Sequence, residues 1–278
     1  MDVKLSMISQ KPKISVLLVD GSYRPHFAVI DSLKQQAFTA EDFEVLWIEY
    51  YNRVEKELIN KMTGRENFRV ITLGESGTYH SSYCFNRGIV EARGGLLVIA
   101  DADVLVEAGF LETIWKEHQA DERLVMYIYR MDEPERSGPI CLDLDYLKKN
   151  CVLNNPANYG GCLTVRKKWL LEINGYEQQE LFRTGGDHAS GLDVYTRFKN
   201  LGMRIMWHPG LRMYHPWHRH SSGFRDAYLL QQVLISHRAR GLSVLPYNGI
   251  NPALDRAIPH SLQVLLDAEK RKILRARS

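Results

Sequence analysis

The chain has 278 residues, 45% of them hydrophobic and 25% charged, which suits one or two soluble globular domains with a full core. No stretch approaches the roughly 20 uninterrupted apolar residues of a membrane span, and the opening MDVKLSMISQKPK lacks the apolar region of a signal peptide, so a cytoplasmic location is expected. The net charge of +3 is too small to imply a nucleic-acid partner, and none is expected. Cys84, Cys141, Cys151 and Cys162 form no C-x-x-C pair and are expected to be reduced thiols rather than a disulfide frame or a zinc site.

The elements follow an α/β rhythm. Ile14 to Val19 (ISVLLV) is a short β-branched apolar run closed by Asp20-Gly21-Ser22, the pattern of a buried parallel strand. Phe27, Ile30 and Leu33 recur at helical spacing over Phe27 to Gln36. Phe43 to Ile48 and Phe68 to Leu73 read as further strands, the first ending at Glu49. Ser81-Ser82 can cap a helix that runs to Ala92 and stops at Arg93-Gly94-Gly95. Leu96 to Ala100 is then an apolar strand running into Asp101-Ala102-Asp103. Residues 125 to 165 are broken by Pro134, Pro139, Asn154-Asn155-Pro156 and Gly160-Gly161, so loops and short strands are expected there. A short helix at Trp169 to Ile173, a helix from about Ser190 to Leu201 and a helical tail beyond Gly223 complete the reading. The predicted fold is therefore a mostly parallel central sheet with helices on both faces plus a C-terminal helical tail, and its ligands should bind at the carboxyl ends of the strands, where Asp20, Glu49, Asp101 and Asp103 fall.

Asp101 and Asp103 are the strongest chemical candidates, because paired carboxylates at the end of a buried strand offer hard oxygen ligands to Mg2+ or Mn2+ on a diphosphate. Asp-x-Asp alone says little: with fifteen aspartates in the chain, about 0.8 matches arise by chance. Asp143-Leu144-Asp145 serves as the control, since no apolar run precedes it. Five of the ten histidines lie between 188 and 220. Of the HPWHRH cluster, His215 is the favoured metal ligand, with His218 and His220 read as solvated loop side chains. Asp187, after a Gly-Gly turn, can present a carboxylate as general base. The competing carboxylate is Asp193, whose ordinary helical role would be an ion pair with Arg197. There is no G-x-G-x-x-G after the first strand and no G-x-x-x-x-G-K-[ST], which argues against dinucleotide and P-loop enzymes.

The block Asn86-Arg87-Gly88-Ile89, Ala92-Arg93-Gly94-Gly95 and Leu96 to Asp103, a run of 18 residues, resembles the N-x-G-I, A-x-G, apolar strand and D-x-D sequence of the family 2 glycosyltransferases, which have the Rossmann-like glycosyltransferase-A fold. Weaker matches extend from the ISVLLV strand through Glu49, Asn158-Tyr159-Gly160-Gly161, Gly185-Gly186-Asp187 and the Arg197-Phe198-x-x-x-Gly202 helix to Met213-Tyr214-His215. The resemblance implies a metal-dependent, inverting transfer of a hexosyl or N-acetylhexosaminyl unit from a nucleoside diphosphate sugar, most commonly UDP-linked, to a glycan or glycolipid hydroxyl. It places Glu49, Asp20 and Asn86 at the donor, Asp101 at the ribose or sugar and the metal, and Asp103 and His215 on Mn2+ or Mg2+. Asp187 would be the base. The chain departs from the family where Val19-Asp20-Gly21-Ser22 replaces a proline and a tyrosine-asparagine. It departs again where Gly185-Gly186 stands farther than usual from Arg197, which leaves Asp187 and Asp193 both open as the base. Residues 1–105 are expected to form the donor half, 106–222 the acceptor half and 223–278 the tail.

In the tail, His260 to Arg277 sets Leu262, Val264, Leu265, Leu266, Ile273 and Leu274 against Lys270, Arg271, Lys272, Arg275 and Arg277. Such a basic amphipathic helix suits either an anionic inner membrane face or packing on its own domain or a second copy in a homo-oligomer. Two other classes compete with a transferase: a nucleotidyltransferase of similar sheet, and a non-catalytic nucleotide-sugar or glycan-binding protein.

Overall fold

A computed structural model describes residues 11–184, 189–219 and 225–275. In chain order the elements are β1 (Ile14–Asp20), α1 (Ala28–Lys34), β2 (Phe43–Glu49), α2 (Lys56–Met62), β3 (Phe68–Thr72), α3 (Ser81–Glu91), β4 (Leu96–Ala100), α4 (Phe110–Ala120) and β5 (Leu124–Asp132). There follow α5 (Leu144–Asn150), β6 (Cys162–Arg166), α6 (Lys167–Glu172), α7 (Ser190–Asn200), β7 (Arg204–His215), α8 (Arg225–Arg240) and α9 (His260–Arg275). The seven strands form one sheet in the order β3-β2-β1-β4-β6-β5-β7. Only β6 runs against its neighbours, so the other strands end at the same edge. The expected mostly parallel α/β sheet is thus the observed one.

The apolar strands are continuous because both faces are covered. Ile14, Val16, Leu18, Val45 and Trp47 pack against Ile30, Leu33 and Ile114 of α1 and α4. Leu17, Val19, Leu46 and Ile48 face Cys84, Phe85 and Ile89 of α3 and Val194 and Phe198 of α7. Each such aliphatic side chain, fully buried, contributes about 1.5–3 kcal/mol.

Part of the Asn86 to Asp103 block proves to be architectural. Glu44, fully buried at the amino-terminal end of β2, accepts hydrogen bonds from Ser15 Oγ (2.7 Å), Arg93 N (2.6 Å) and Arg93 Nε (2.9 Å). Gly94 N donates to Ser15 Oγ at 2.8 Å, and a Cβ at Gly94 would stand 2.6 Å from the backbone of Ile14. The A-R-G segment therefore holds the sheet together at the end away from Asp101.

Residues 125 to 165 are more regular than their prolines and glycines suggest. Those breakers fall in the connections, leaving β5, α5 and β6 intact. The fold also contains α4 and a 12-residue β7 that the sequence pattern does not announce. Pro209-Gly210 interrupts β7, yet the strand survives because its register with β5 jumps from Tyr127–Trp207 to Tyr129–Arg212. At an edge strand the missing amide hydrogen of Pro209 breaks no ladder bond.

The tail packs on the domain. Leu262 and Leu266 of α9 join Leu234 of α8 and Phe182 in a buried cluster, while Val264, Leu265 and Leu274 stay exposed. Among the described residues no helix is long and apolar enough to cross a membrane. A buried ion network fastens α8 to the sheet domain: Arg238 reaches Asp193 of α7 and, at 2.7 Å, Glu177, and Asp193 also accepts from Arg197 Nε at 2.9 Å. Glu177 further accepts the backbone amides of Tyr247 (2.8 Å) and Asn248 (3.0 Å). Replacing Arg238 by Met leaves two buried carboxylates short of their shared cation, and a loss of about 3–5 kcal/mol is expected in urea unfolding. An unchanged midpoint would show that the network does not hold the tail.

Candidate functional site

Asp20 and Glu49 are register partners at the carboxyl ends of β1 and β2. Each is only 2% exposed. Asp20 accepts Gly21 N at 2.8 Å, and Glu49 accepts Ser22 Oγ at 2.9 Å and Tyr51 N at 3.1 Å. Burial dominates both titrations. It pushes Asp20 up to about 6 against the pull of Arg24, and Glu49 up to about 7 with the charge of Asp20 adding to the effect.

Directly beside β1, β4 delivers Asp101 and Asp103. Asp101 accepts Arg130 Nη1 of β5 at 2.8 Å, and Arg130 Nε lies 2.9 Å from Asp132 at the end of the same strand. Asp101 is desolvated enough to raise its pKa despite Arg130. Asp103 is buried too, yet Arg24, whose Nη1 donates to its Oδ2, together with His215 and His218, holds its pKa well below the usual range. His215 Nδ1 lies 3.1 Å from Asp132 Oδ1. That contact sets the tautomer: Nδ1–H faces the carboxylate and Nε2 turns toward Asp103 Oδ2, 3.8 Å away. Burial opposes the charged imidazole, but Asp103 and Asp132 outweigh it and raise the pKa of His215.

Asp103, His215 and His218 are the group among the described residues able to share a cation, with one ligand atom from each lying within 4.8 Å of the others. His218 Nε2 is 3.4 Å from Asp103 Oδ2 and 3.2 Å from His215 Nε2. Donors held at about 2.1 Å on one cation stand roughly 3.0–3.4 Å apart, so these two spacings suit a divalent ion, and the 3.8 Å from His215 Nε2 to Asp103 Oδ2 has to shorten on binding. Asp103 Oδ1 is buried without a hydrogen-bond partner, a further acceptor such an ion would satisfy. His26, 5% exposed, accepts Ala28 N at its Nδ1 (3.4 Å), which leaves its Nε2 buried without a partner. Burial lowers its pKa to about 4, with Asp103 the largest opposing influence.

The candidates read from sequence fare differently. Asp20, Glu49, Asp101, Asp103 and His215 meet at one edge of the sheet. His218, read as a solvated loop residue, stands inside the cation group, whereas Asp101 stands beside it on Arg130. Asn86 is no donor contact here: its Nδ2 donates to Tyr176 O (2.9 Å) and its Oδ1 accepts Tyr176 N (2.7 Å), so both ends of the amide clamp a loop. Gly175 beside it has φ +70, and a Cβ there would come within 2.3 Å of Asn86 Oδ1. Asp193 takes the helical alternative, pairing with Arg197, and is corrected as a base: fully buried and shared between Arg197 and Arg238, its carboxylate has no face for an acceptor hydroxyl. Asp187, His188 and His220 lie outside the described residues. Asp143 caps α5 by accepting Tyr146 N at 3.0 Å, as expected of the control. Arg24, Arg130, Asp132 and His26 were not singled out from sequence. Their one linear signal is position, after the end of an apolar strand or in its last residues.

Among solved structures, the chain is similar to S. aureus TarS, with 17% identity and a TM-score of 0.59 over 92% of this chain and 70% of that one. A TarS complex with UDP-GlcNAc matches with 17% identity and a TM-score of 0.59, over 81% of this chain and 66% of that one. The mannosyltransferase PcManGT from Pyrobaculum calidifontis, in complex with GDP-Man and Mn2+, matches at 13% identity and a TM-score of 0.56, over 93% of this chain and 69% of that one. Against a longer TarS structure the chain spans 39% of the length. No protein-family model and no curated relative matches. At these identities the likeness is one of fold.

The two raised carboxyls carry a pH signature. Asp20 and Glu49 bind protons more readily folded than unfolded, so the stability they contribute is complete below about pH 4. It is lost as the pH rises through about 6 and about 7. Glu49→Gln is therefore expected to flatten the fall in melting temperature between about pH 5 and about pH 8. An identical slope in the variant would rule out Glu49 as a source.

Proposed function

We propose that the protein is a divalent-metal-dependent glycosyltransferase that moves a sugar from a nucleoside diphosphate donor to a hydroxyl group of a glycan or glycolipid. The observation that carries the reading is the meeting of Asp103, just past β4, with His215 at the end of β7 and His218 just beyond it, beside Asp20 and Glu49 at the ends of β1 and β2. This arrangement offers a cation site at one end and a buried, hydrogen-bonding carboxylate pair at the other, the two features that a diphosphate and a nucleoside respectively require.

In this reading Glu49 and Asp20 orient the nucleoside, and Asp101, held by Arg130, faces the ribose or sugar. Asp103, His215 and His218 would hold Mn2+ or Mg2+, which when bound neutralises the charge on the departing diphosphate. Asp132 keeps the lone pair of His215 Nε2 aimed at that position. Asp187 takes the proton of the acceptor hydroxyl as its oxygen bonds to the anomeric carbon. The bond from that carbon to the diphosphate breaks on the opposite face, and the configuration inverts. With Asp193 committed to Arg238, Asp187 is the base we assign. Residues 1–105 would take the donor and 106–222 the acceptor. UDP is the first nucleotide to test, since TarS has been solved with UDP and with UDP-GlcNAc, and GDP the second, since PcManGT was solved with GDP-Man.

Calorimetric titration of UDP and GDP with and without Mn2+ tests the reading. Binding that requires Mn2+ and is lost in Asp103→Ala is expected. Nucleotide binding indifferent to both would sink it. Asp187→Asn is expected to keep nucleotide binding while cutting turnover at least about a hundredfold. Full turnover in that variant would remove the base, and retained binding with no turnover in the wild type would favour a binding protein.

A further inference from the structure

The carboxylate nominated for the metal already carries a resident cation. Arg24 lies on the β1–α1 connection, and its guanidinium Nη1 donates to Asp103 Oδ2, the oxygen that also faces His215 and His218. Its Nε is 3.9 Å from Asp20 Oδ1, too long for a hydrogen bond, and is buried without a partner. The guanidinium carbon sits 4.8 Å from the centre of the Tyr23 ring. The side chain is 11% exposed. Arg24 is thus held by one strong contact and one ring face, with donors to spare, on a connection whose Ser22 takes a left-handed φ of 55. Arg130, by contrast, is braced by both Asp101 and Asp132 and belongs to a strand.

Two cations cannot share one carboxylate oxygen without repelling each other at close range. When a divalent ion takes Asp103 Oδ2, the positive charge of Arg24 must leave that atom. A donor diphosphate brings fresh anionic oxygens to the same place. A planar fork of five donors fits phosphate oxygens bidentately.

We propose that Arg24 is an exchangeable counter-ion: it neutralises Asp103 in the free protein, yields that carboxylate to the metal, and transfers to the phosphates of the incoming nucleoside diphosphate. The inference rests on the metal reading above and goes beyond it. It makes metal and nucleotide binding mutually reinforcing, because the nucleotide supplies the anion that Arg24 needs once the metal has displaced it. A residue that merely braced the loop would weaken both ligands when removed. An exchanging one must affect them in opposite directions.

The test is calorimetric titration of Mn2+ alone, then of UDP and GDP at saturating Mn2+, on wild type, Arg24→Met and Arg24→Lys, with thermal melts to verify folding. Arg24→Met is expected to bind Mn2+ alone about tenfold more tightly, about 1.4 kcal/mol, because its competitor is gone. The same variant should bind nucleotide at saturating Mn2+ about tenfold or more weakly. Arg24→Lys keeps the charge but loses the fork, so Mn2+ affinity near wild type with weakened nucleotide binding is expected. Mn2+ affinity unchanged or weakened in folded Arg24→Met would overturn the exchange while leaving the metal site standing, and should Arg24→Met not fold, Arg24→Lys with unchanged nucleotide affinity would overturn it as well. Failure of Mn2+ to bind either wild type or Arg24→Met would overturn the metal reading and the exchange together.

Discussion

Negative charge has to be met by positive charge at the carboxyl edge of the sheet, and much of the local structure answers that demand. Asp20, Glu49 and Asp103 are buried there beside the half-buried Asp101 and Asp132, where carboxylates repel one another more strongly than in water. The chain meets the demand unevenly. Asp101 and Asp132 share Arg130, Asp103 has Arg24 and two histidines, and Asp20 and Glu49 have mainly backbone amides and a serine. The pKa values of this least compensated pair rise, and burial raises that of Asp101 as well despite Arg130.

That uneven compensation is what lets the edge act on ligands. A fully neutralised cluster would offer a cation nothing, and an uncompensated one would strain the fold. At Asp103 the balance is intermediate: a strongly ionised carboxylate, one guanidinium and two imidazoles whose nitrogens are already at ligand-like separations. The topology makes this possible. With only β6 reversed, β1, β2, β4, β5 and β7 deliver their last residues to the same side, so side chains far apart in sequence arrive together.

The rest of the domain holds that edge in place. Glu44 with Ser15, Arg93 and Gly94 tightens the opposite end of the sheet. Asn86 ties α3 to the loop at Tyr176, and the Asp193, Arg197, Arg238 and Glu177 network joins α7 to the C-terminal helices. Much of what looks like a catalytic signature in the linear sequence is therefore framework. Asn86 and Arg93 sit in the same run as Asp101 and Asp103, yet they serve packing and hydrogen bonding rather than ligands.

By itself the sequence determined the α/β class, the positions of β1 to β4 and α3, and the placing of Asp20, Glu49, Asp101 and Asp103 at strand ends, because buried parallel strands leave unbroken apolar runs and helix ends leave local caps. The same local logic located α7 and favoured His215. It did not reveal β7, since Pro209-Gly210 looks like a break until an edge position and a register jump absorb it. Nor could it tell that Asn86 is an internal clamp, that Arg238 joins the Asp193–Arg197 pair, that His218 joins His215, or that Arg24 and Arg130 neutralise the two aspartates. Those assignments depend on which strands lie side by side and on burial from all directions, which are long-range properties with no periodicity along the chain. Only the tertiary structure decided them, by bringing β1, β4, β5 and β7 to one edge and leaving each charge there to find its partner in space.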